Sequence, residues 1–167
     1  MDKIQLRKEM LNILKAYDRK EEESKKLCMM IKNSSLWKNA NTILAFIPLS
    51  TEPDISPLLN DERILLPYIE NDEMRFSASR NFKRSELGFL EPEHTEKNYE
   101  KALMLVPLLA FNGLYRLGRG GGYYDRYISE NRSRIVSAGV AFSISERCDF
   151  MPEDHDEKLD YIFSATR

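Results

Sequence analysis

Residues 116–126, RLGRGGGYYDR, concentrate charged side chains, phenols and bare backbone in one stretch. Five of the chain's seven glycines lie between Gly113 and Gly122, and glycine is costly to order, so something must approach this backbone closely. Such a loop can turn its N–H groups toward a ligand with no Cβ in the way. The helix expected after it adds unpaired N–H groups and the positive end of its dipole. Together these make an anion site suited to a polyphosphate. Arg116 and Arg119 add charge-assisted contacts that a planar guanidinium can make in pairs.

Two general phosphate motifs are excluded. No Lys-Ser or Lys-Thr follows the glycines, as a P-loop requires. Tyr123 stands where G-x-G-x-x-G needs its last glycine. Asp125 falls in the first turn of the following helix. A carboxylate there complements the dipole, worth about 0.3–1 kcal/mol. Beside a phosphate cradle it also suits Mg²⁺, which binds one or two carboxylates together with phosphate oxygens. Tyr123 and Tyr127 are four apart and share a helix face. Core packing and a platform for an aromatic ligand are both open to them.

The elements that must position these groups follow from periodicity. Residues 3–17 place Ile4, Leu11, Leu14 and Tyr17, with Leu6 or Arg7, at helical spacing. Residues 18–33 predict a second helix with a solvated first half, DRKEEESKK. Short apolar runs predict strands at 42–48, 63–69, 101–111 (interrupted at Pro107), 134–142 and 159–165, and 74–79 alternates like a half-exposed strand. Residues 54–60 fit a short helix with Asp54 or Ser56 as cap and Pro57 first. Residues 88–98 read as loop and 122–130 as helix. Strands separated by helices argue an α/β fold with a largely parallel sheet covered on both faces. Ligand loops in such sheets follow the carboxyl ends of strands, which is where the glycines fall.

At 167 residues the chain is read as one domain, 1–167, and an apolar share of 42% suffices for a core. Lys plus Arg is 25 against Asp plus Glu 27, which disfavours a nucleic-acid partner. Cys28 and Cys148 suggest two reduced thiols rather than a disulfide or metal site. The N-terminus has no signal-peptide core, and no apolar run approaches membrane-spanning length. The expectation is a cytoplasmic protein with no membrane partner, acting as a monomer.

The string VPLLAFNGLYRLGRGGGYYDRYI (106–128) closely resembles the signature of 5-formyltetrahydrofolate cyclo-ligase, also called 5,10-methenyltetrahydrofolate synthetase. Asn112 replaces the family's usual Asp, and Gly121 stands where some members have Lys. Other landmarks occur in the family's order: Lys3 and Arg7, then IPLSTEPDISPLL with Glu52, ILLPYI, GFLEP and MPEDHDEKLDYIFSATR. The resemblance spans essentially the whole chain. It implies a three-layer α/β/α domain, similar to sugar-phosphate isomerase and CoA-transferase-like folds. It implies ATP- and Mg²⁺-dependent conversion of 5-formyltetrahydrofolate to 5,10-methenyltetrahydrofolate, ADP and phosphate, through a phosphorylated formyl group.

Carried over residue by residue, the resemblance assigns ATP to Lys3, Arg7, Arg116, Leu117, Gly118, Arg119, Gly120, Gly121, Gly122, Tyr123 and Tyr124. It assigns folate to Glu52, Arg119, Gly120, Gly121, Gly122 and Tyr123. Mg²⁺ falls to Asp125 and Asp156, with Asp154 and Asp160 as rivals to the latter, and catalysis to Arg119, Tyr123 and Asp125. With Lys missing at 121, phosphate neutralisation rests more on Arg116, Arg119 and backbone amides. Without the resemblance, Lys3 and Arg7 read as solvated helix charge, Glu52 as a helix cap, and His94 and His155 as loop histidines. Two competitors remain: a folate or nucleotide binder without turnover, and a sugar-phosphate isomerase. The isomerase would need a general base that only Asp125 offers here.

Overall fold

The computed structural model describes residues 2–166. Helix α1 (Lys3–Ala16) starts where the Asp2 carboxylate accepts the Gln5 N–H at 2.8 Å. It buries Leu6, Met10 and Leu14 completely. Each such burial is worth about 1.5–3 kcal/mol. This stripe is rotated from the expected one, because Ile4 is 78% exposed. Lys3 and Arg7, one turn apart, share a face, and the rotation turns it toward the glycine loop, where Arg7 bonds Gly118. Helix α2 (Lys20–Asn33) carries Glu21, Glu22 and Glu23 in its first turn and buries Leu27, Cys28 and Ile31. A short α3 (Ser35–Asn39), absent from the sequence reading, is capped by Ser34, whose Oγ accepts the Trp37 N–H.

The strands are β1 (Ile43–Leu44), β2 (Ile64–Glu70), β3 (Glu73–Ser77), β4 (Phe82–Arg84), β5 (Leu90–Pro92), β6 (Ala102–Val106), β7 (Ala110–Asn112), β8 (Tyr115–Leu117), β9 (Ile135–Ala141) and β10 (Tyr161–Ser164). Helix α4 (Tyr123–Asn131) lies between β8 and β9. Six strands form one sheet in the order β10-β9-β6-β1-β2-β3. All pairings in it are parallel except the edge hairpin β2–β3. Alternation along each strand sends side chains to opposite faces. Leu103 and Leu105 join Leu6, Met10, Leu27 and Ile31 on one face, while Met104 and Val106 join Ile128 of α4 on the other. The result is the expected three-layer α/β/α arrangement with a mostly parallel sheet. No helix among the described residues is long and apolar enough to cross a membrane.

Several boundaries differ from the expectation. The 54–60 helix is one 3-10 turn, Ser56–Leu58, and the Asp54 carboxylate accepts the Ser56 N–H. Residues 88–98 are not all loop, since β5 pairs with β4 as a two-stranded arm beside the sheet. Strand 101–111 is two strands. Pro107 ends β6, and the Leu109 N–H then bonds the Leu117 carbonyl, opening the β7–β8 hairpin.

A buried carboxylate ties the helical layer to the sheet. Glu23, 3% exposed, accepts from the Ser143 N–H (2.9 Å), the Ser143 hydroxyl (2.6 Å) and the Tyr17 hydroxyl (2.6 Å). Burial alone would raise its titration, but these donors outweigh it and hold the carboxyl below its ordinary value. The folded state thus binds this proton more weakly than the unfolded chain. The stability it lends is full above the usual glutamate range and is lost as pH falls through the depressed folded value. Glu23→Ala is expected to lower stability by about 2–4 kcal/mol, read by urea titration at neutral pH, and to lessen the loss on acidification.

Candidate functional site

A cleft of about 2300 Å³ opens at the carboxyl ends of β1, β2 and β6. Its floor includes Phe46 to Ser50 after β1 and Pro107 to Leu109 after β6. From β1 the chain runs outward through β2 and β3, and from β6 outward the other way through β9 and β10. The cleft therefore lies where the strand order reverses, the usual ligand position in such sheets. Its volume exceeds the roughly 300–1,000 Å³ typical for one small ligand, so it has room for two.

The glycine-rich segment forms one wall. Arg116 is almost fully buried. Its Nε donates to the Pro107 carbonyl at 3.0 Å, its guanidinium lies 5.2 Å from the Tyr124 ring centroid, and it approaches Asp125 Oδ1 at 3.6 Å. The guanidinium passes across Gly118, where a Cβ would collide with it. Arg7 reaches from α1 and donates through Nε to the Gly118 carbonyl at 2.9 Å. Gly120 (φ +105°) and Gly122 (φ +73°) adopt left-handed conformations that set the turn into α4. No side chain caps α4, so its first-turn N–H groups remain open beside the cleft.

Two carboxylates meet this wall. Asp125 accepts no hydrogen bond among the described residues. Burial pushes its carboxyl up; Arg116 opposes that and Asp156 reinforces it. Asp156 is half-buried, but the Glu153 N–H (2.7 Å) and the Lys3 ammonium outweigh burial and hold it below its ordinary value. A half-buried carboxylate with no donor, next to a second carboxylate and a basic wall, fits a cation better than it fits water. The described residues hold no group of three or more metal-ligating side chains, so Mg²⁺ here would need phosphate oxygens as well.

On the sheet side, Glu52 is 8% exposed. Its Oε1 accepts the Leu49 N–H at 2.8 Å and its Oε2 lies 3.7 Å from Arg119 Nε. Burial raises its titration, and the Leu49 N–H, Arg119 and Arg116 only partly offset this. Arg119 also donates to the Thr51 hydroxyl at 2.6 Å. Tyr123 closes the rim, its hydroxyl donating to Asp72 in the β2–β3 turn at 2.8 Å.

The family model described as the 5-formyltetrahydrofolate cyclo-ligase family matches residues 1–165. The chain belongs to this family. A cyclo-ligase of that name from Mycolicibacterium smegmatis is 28% identical over 153 residues, 80% of this chain and 78% of the relative. One from Mycoplasma pneumoniae is 30% identical over 99 residues, 58% of this chain and only 60% of that protein's length. A solved structure of a 5,10-methenyltetrahydrofolate synthetase from Mycoplasma pneumoniae superposes with TM-score 0.76 and 25% identity, covering 98% of both chains.

For a cyclo-ligase family member, most residues singled out in the sequence converge. Lys3, Arg7, Glu52, Arg116, Gly118 to Asp125 and Asp156 all line the cleft. Leu117 does not: its side chain is in the core and its carbonyl is taken by Leu109. Arg116 and Tyr124 lie beneath the loop rather than over it. Tyr127 takes the core option, bonded to the Tyr99 hydroxyl and edge-on to Phe76, whereas Tyr123 stays on the rim. Asp160 is occupied by the Ser137 N–H and hydroxyl, and Asp154 lies off the cleft, whereas Asp156 lines it. Glu52 bonds Leu49 rather than capping a helix. Thr51, Asp72, Tyr68 and Glu91 escaped the sequence reading, and His94, read there as a loop histidine, lines the cleft with Asp72, Tyr68 and Glu91.

The glycines separate by role. Gly120→Ala is expected to lower stability by about 1–3 kcal/mol in urea titration, since φ +105° strains any Cβ. Gly121 lies outside the left-handed region, and an added Cβ meets only the rim ring of Tyr123 at 3.0 Å. Gly121→Lys should therefore change stability by about 1 kcal/mol or less in the same titration.

Proposed function

We propose that the protein is a 5-formyltetrahydrofolate cyclo-ligase that uses ATP with Mg²⁺. The single observation that carries this reading is one cleft holding a basic phosphate wall, a carboxylate pair and a buried Glu52 side by side. Membership of the cyclo-ligase family and the size of the cleft support it. The formyl oxygen attacks the γ-phosphorus; a new P–O bond forms and the bond to ADP breaks. Nitrogen 10 then attacks the formyl carbon, and its C–O bond breaks. Phosphate leaves carrying the formyl oxygen, and the nitrogen 10 proton passes to solvent. The ring closes as the methenyl cation.

Phosphoryl transfer needs positioning and charge neutralisation more than covalent chemistry. Lys3, Arg7, Arg119 and the open N–H groups of α4 supply the positive field, and Arg116 sustains the loop that presents them. Asp125 and Asp156 would hold Mg²⁺, which would neutralise phosphate charge there. Glu52 accepts from N–H groups of the pterin, and Arg119, touching both Thr51 and Glu52, sits between the two ligands. Ring closure is intramolecular, so holding the formyl carbon against nitrogen 10 lowers its barrier.

Mixing the protein with 5-formyltetrahydrofolate, ATP and Mg²⁺ should give methenyl absorbance; a folded protein giving none refutes the reading. Asp125→Asn is expected to lower turnover by roughly two to three orders of magnitude, as for removal of one charge-stabilising group. Wild-type turnover in that variant would remove Asp125 from the metal site. Arg119→Lys should lose at least about tenfold in kcat/KM, because a point charge replaces a planar fork.

A further inference from the structure

His94 has no part in the chemistry above, yet it lines the same cleft. Both of its ring nitrogens meet carboxylates. Nδ1 lies 3.0 Å from Glu70 Oε2, and Nε2 lies 2.9 Å from Glu91 Oε1. The ring stacks on Tyr68 with centroids 4.2 Å apart and planes 21° from parallel. The two carboxylates come from different bodies. Glu70 ends β2 in the main sheet, and Glu91 belongs to β5 in the two-stranded arm. Glu91 is 7% exposed and also accepts the Ile69 N–H at 3.3 Å.

Counting protons decides what this bridge requires. An ionised carboxylate only accepts, so each contact needs an N–H on the ring. Neutral imidazole has one N–H and imidazolium has two. The bridge is complete only when the ring is charged, and both hydrogen bonds are then of the stronger, charge-assisted kind. The remaining charges nearby are more distant. Arg75, opposite Tyr68 on β3, is engaged by Glu73 and Glu96, and Glu93 approaches Asn81. The Tyr68 phenol, raised by burial, stays neutral beneath the ring.

The base of the arm is tied to β3, where the Ser77 hydroxyl donates to the Glu93 carbonyl at 2.7 Å, and the His94 bridge adds the link from the arm to the end of β2. All three residues of β4 are exposed, so no core side chain anchors that strand. Arm residues from Lys83 to Leu90 nonetheless form a wall of the cleft. That side carries Glu70, Asp72, Glu86 and Glu91 against Lys83 and Arg84, an acidic balance that disfavours a polyphosphate, whereas Lys3, Arg7 and Arg116 gather at the glycine loop. The arm therefore faces the ligand that is not the nucleotide. We propose that His94 is a positioning residue for the folate: as imidazolium it clamps the β4–β5 arm onto β2 and so sets the folate half of the cleft. The identity of that ligand rests on the cyclo-ligase reading; the clamp itself does not.

Steady-state kinetics and amide hydrogen exchange test the two parts separately. In the wild type, KM for 5-formyltetrahydrofolate should be about fivefold or more higher at about pH 8.5 than at about pH 6, because a neutral imidazole has one N–H for two carboxylates. His94→Gln, with one donor group and no charge, should raise folate KM about tenfold at about pH 6.5 and flatten that profile. Its kcat and KM for ATP should stay within about twofold, since the phosphate wall is untouched. His94→Arg, which can donate to both carboxylates, should recover most of the folate affinity. A wild-type folate KM and pH profile in His94→Gln would overturn the assignment to folate. Independently of turnover, exchange in residues 82–92 of the wild type, corrected for intrinsic rate, should accelerate over the same pH range, and His94→Gln should exchange fast throughout. Unchanged arm exchange in both comparisons would overturn the clamp. A wild type without cyclo-ligase activity would refute the functional reading while leaving the exchange result to decide the clamp.

Discussion

A buried guanidinium holds this cleft together. Arg116 loses its water on folding, and burial presses its titration downward against the pull of Asp125, Tyr124 and Glu52. Such a charge is tolerable only where its hydrogens and its field are met on several sides. The Pro107 carbonyl meets it from the end of β6, Asp125 from α4, and the Tyr124 ring from below. One side chain thereby fixes the end of a strand, the β7–β8 hairpin and the start of a helix relative to one another. Gly118 is bare because this guanidinium fills the place of its side chain. Part of the glycine content thus answers to the protein's own arginine rather than to a ligand.

The cleft is divided by charge. Cations gather where α1 meets the glycine loop and the head of α4, while carboxylates dominate where β2 meets the arm. Arg119 and Glu52 mark the border, 3.7 Å apart. Both carboxylates flanking the loop are perturbed, in opposite directions: Asp125 upward by burial, Asp156 downward by the Glu153 N–H and Lys3. Perturbed acids side by side in a cleft mark a candidate functional site.

Elements with a buried stripe were legible in the sequence, as was α4 with only Ile128 buried; the arm and the β7–β8 hairpin were not. Helices α1 and α2 and strands β2, β6, β9 and β10 each pack several apolar residues into a core, and their periodicity survives in the sequence. The arm was invisible because β4 exposes every residue and β5 exposes Leu90. The β7–β8 hairpin was hidden because Leu108, Leu109, Ala110 and Phe111 continue the apolar run of β6 past Pro107. At the site, the glycine loop and its arginines declared themselves by composition, and Lys3, Glu52 and Asp156 only through family resemblance. The bridge through His94 could not be found from spacing, since one of its two partners, Glu70, lies 24 residues from the histidine along the chain. The role of Gly118 was misjudged because composition reports that backbone is bare, not which neighbour makes it so.

The pairing of Lys3 with Asp156 joins positions 153 residues apart. Translation makes Lys3 153 residues before its partner. During translation the opening helix can coil early, but its ammonium has no carboxylate to meet until the segment after β9 has emerged. The long-range contacts that complete the cleft are of the kind that slow folding. A growing chain therefore carries Lys3 and Arg7, one part of the basic wall of the cleft, without the Asp156 carboxylate while the residues between are made.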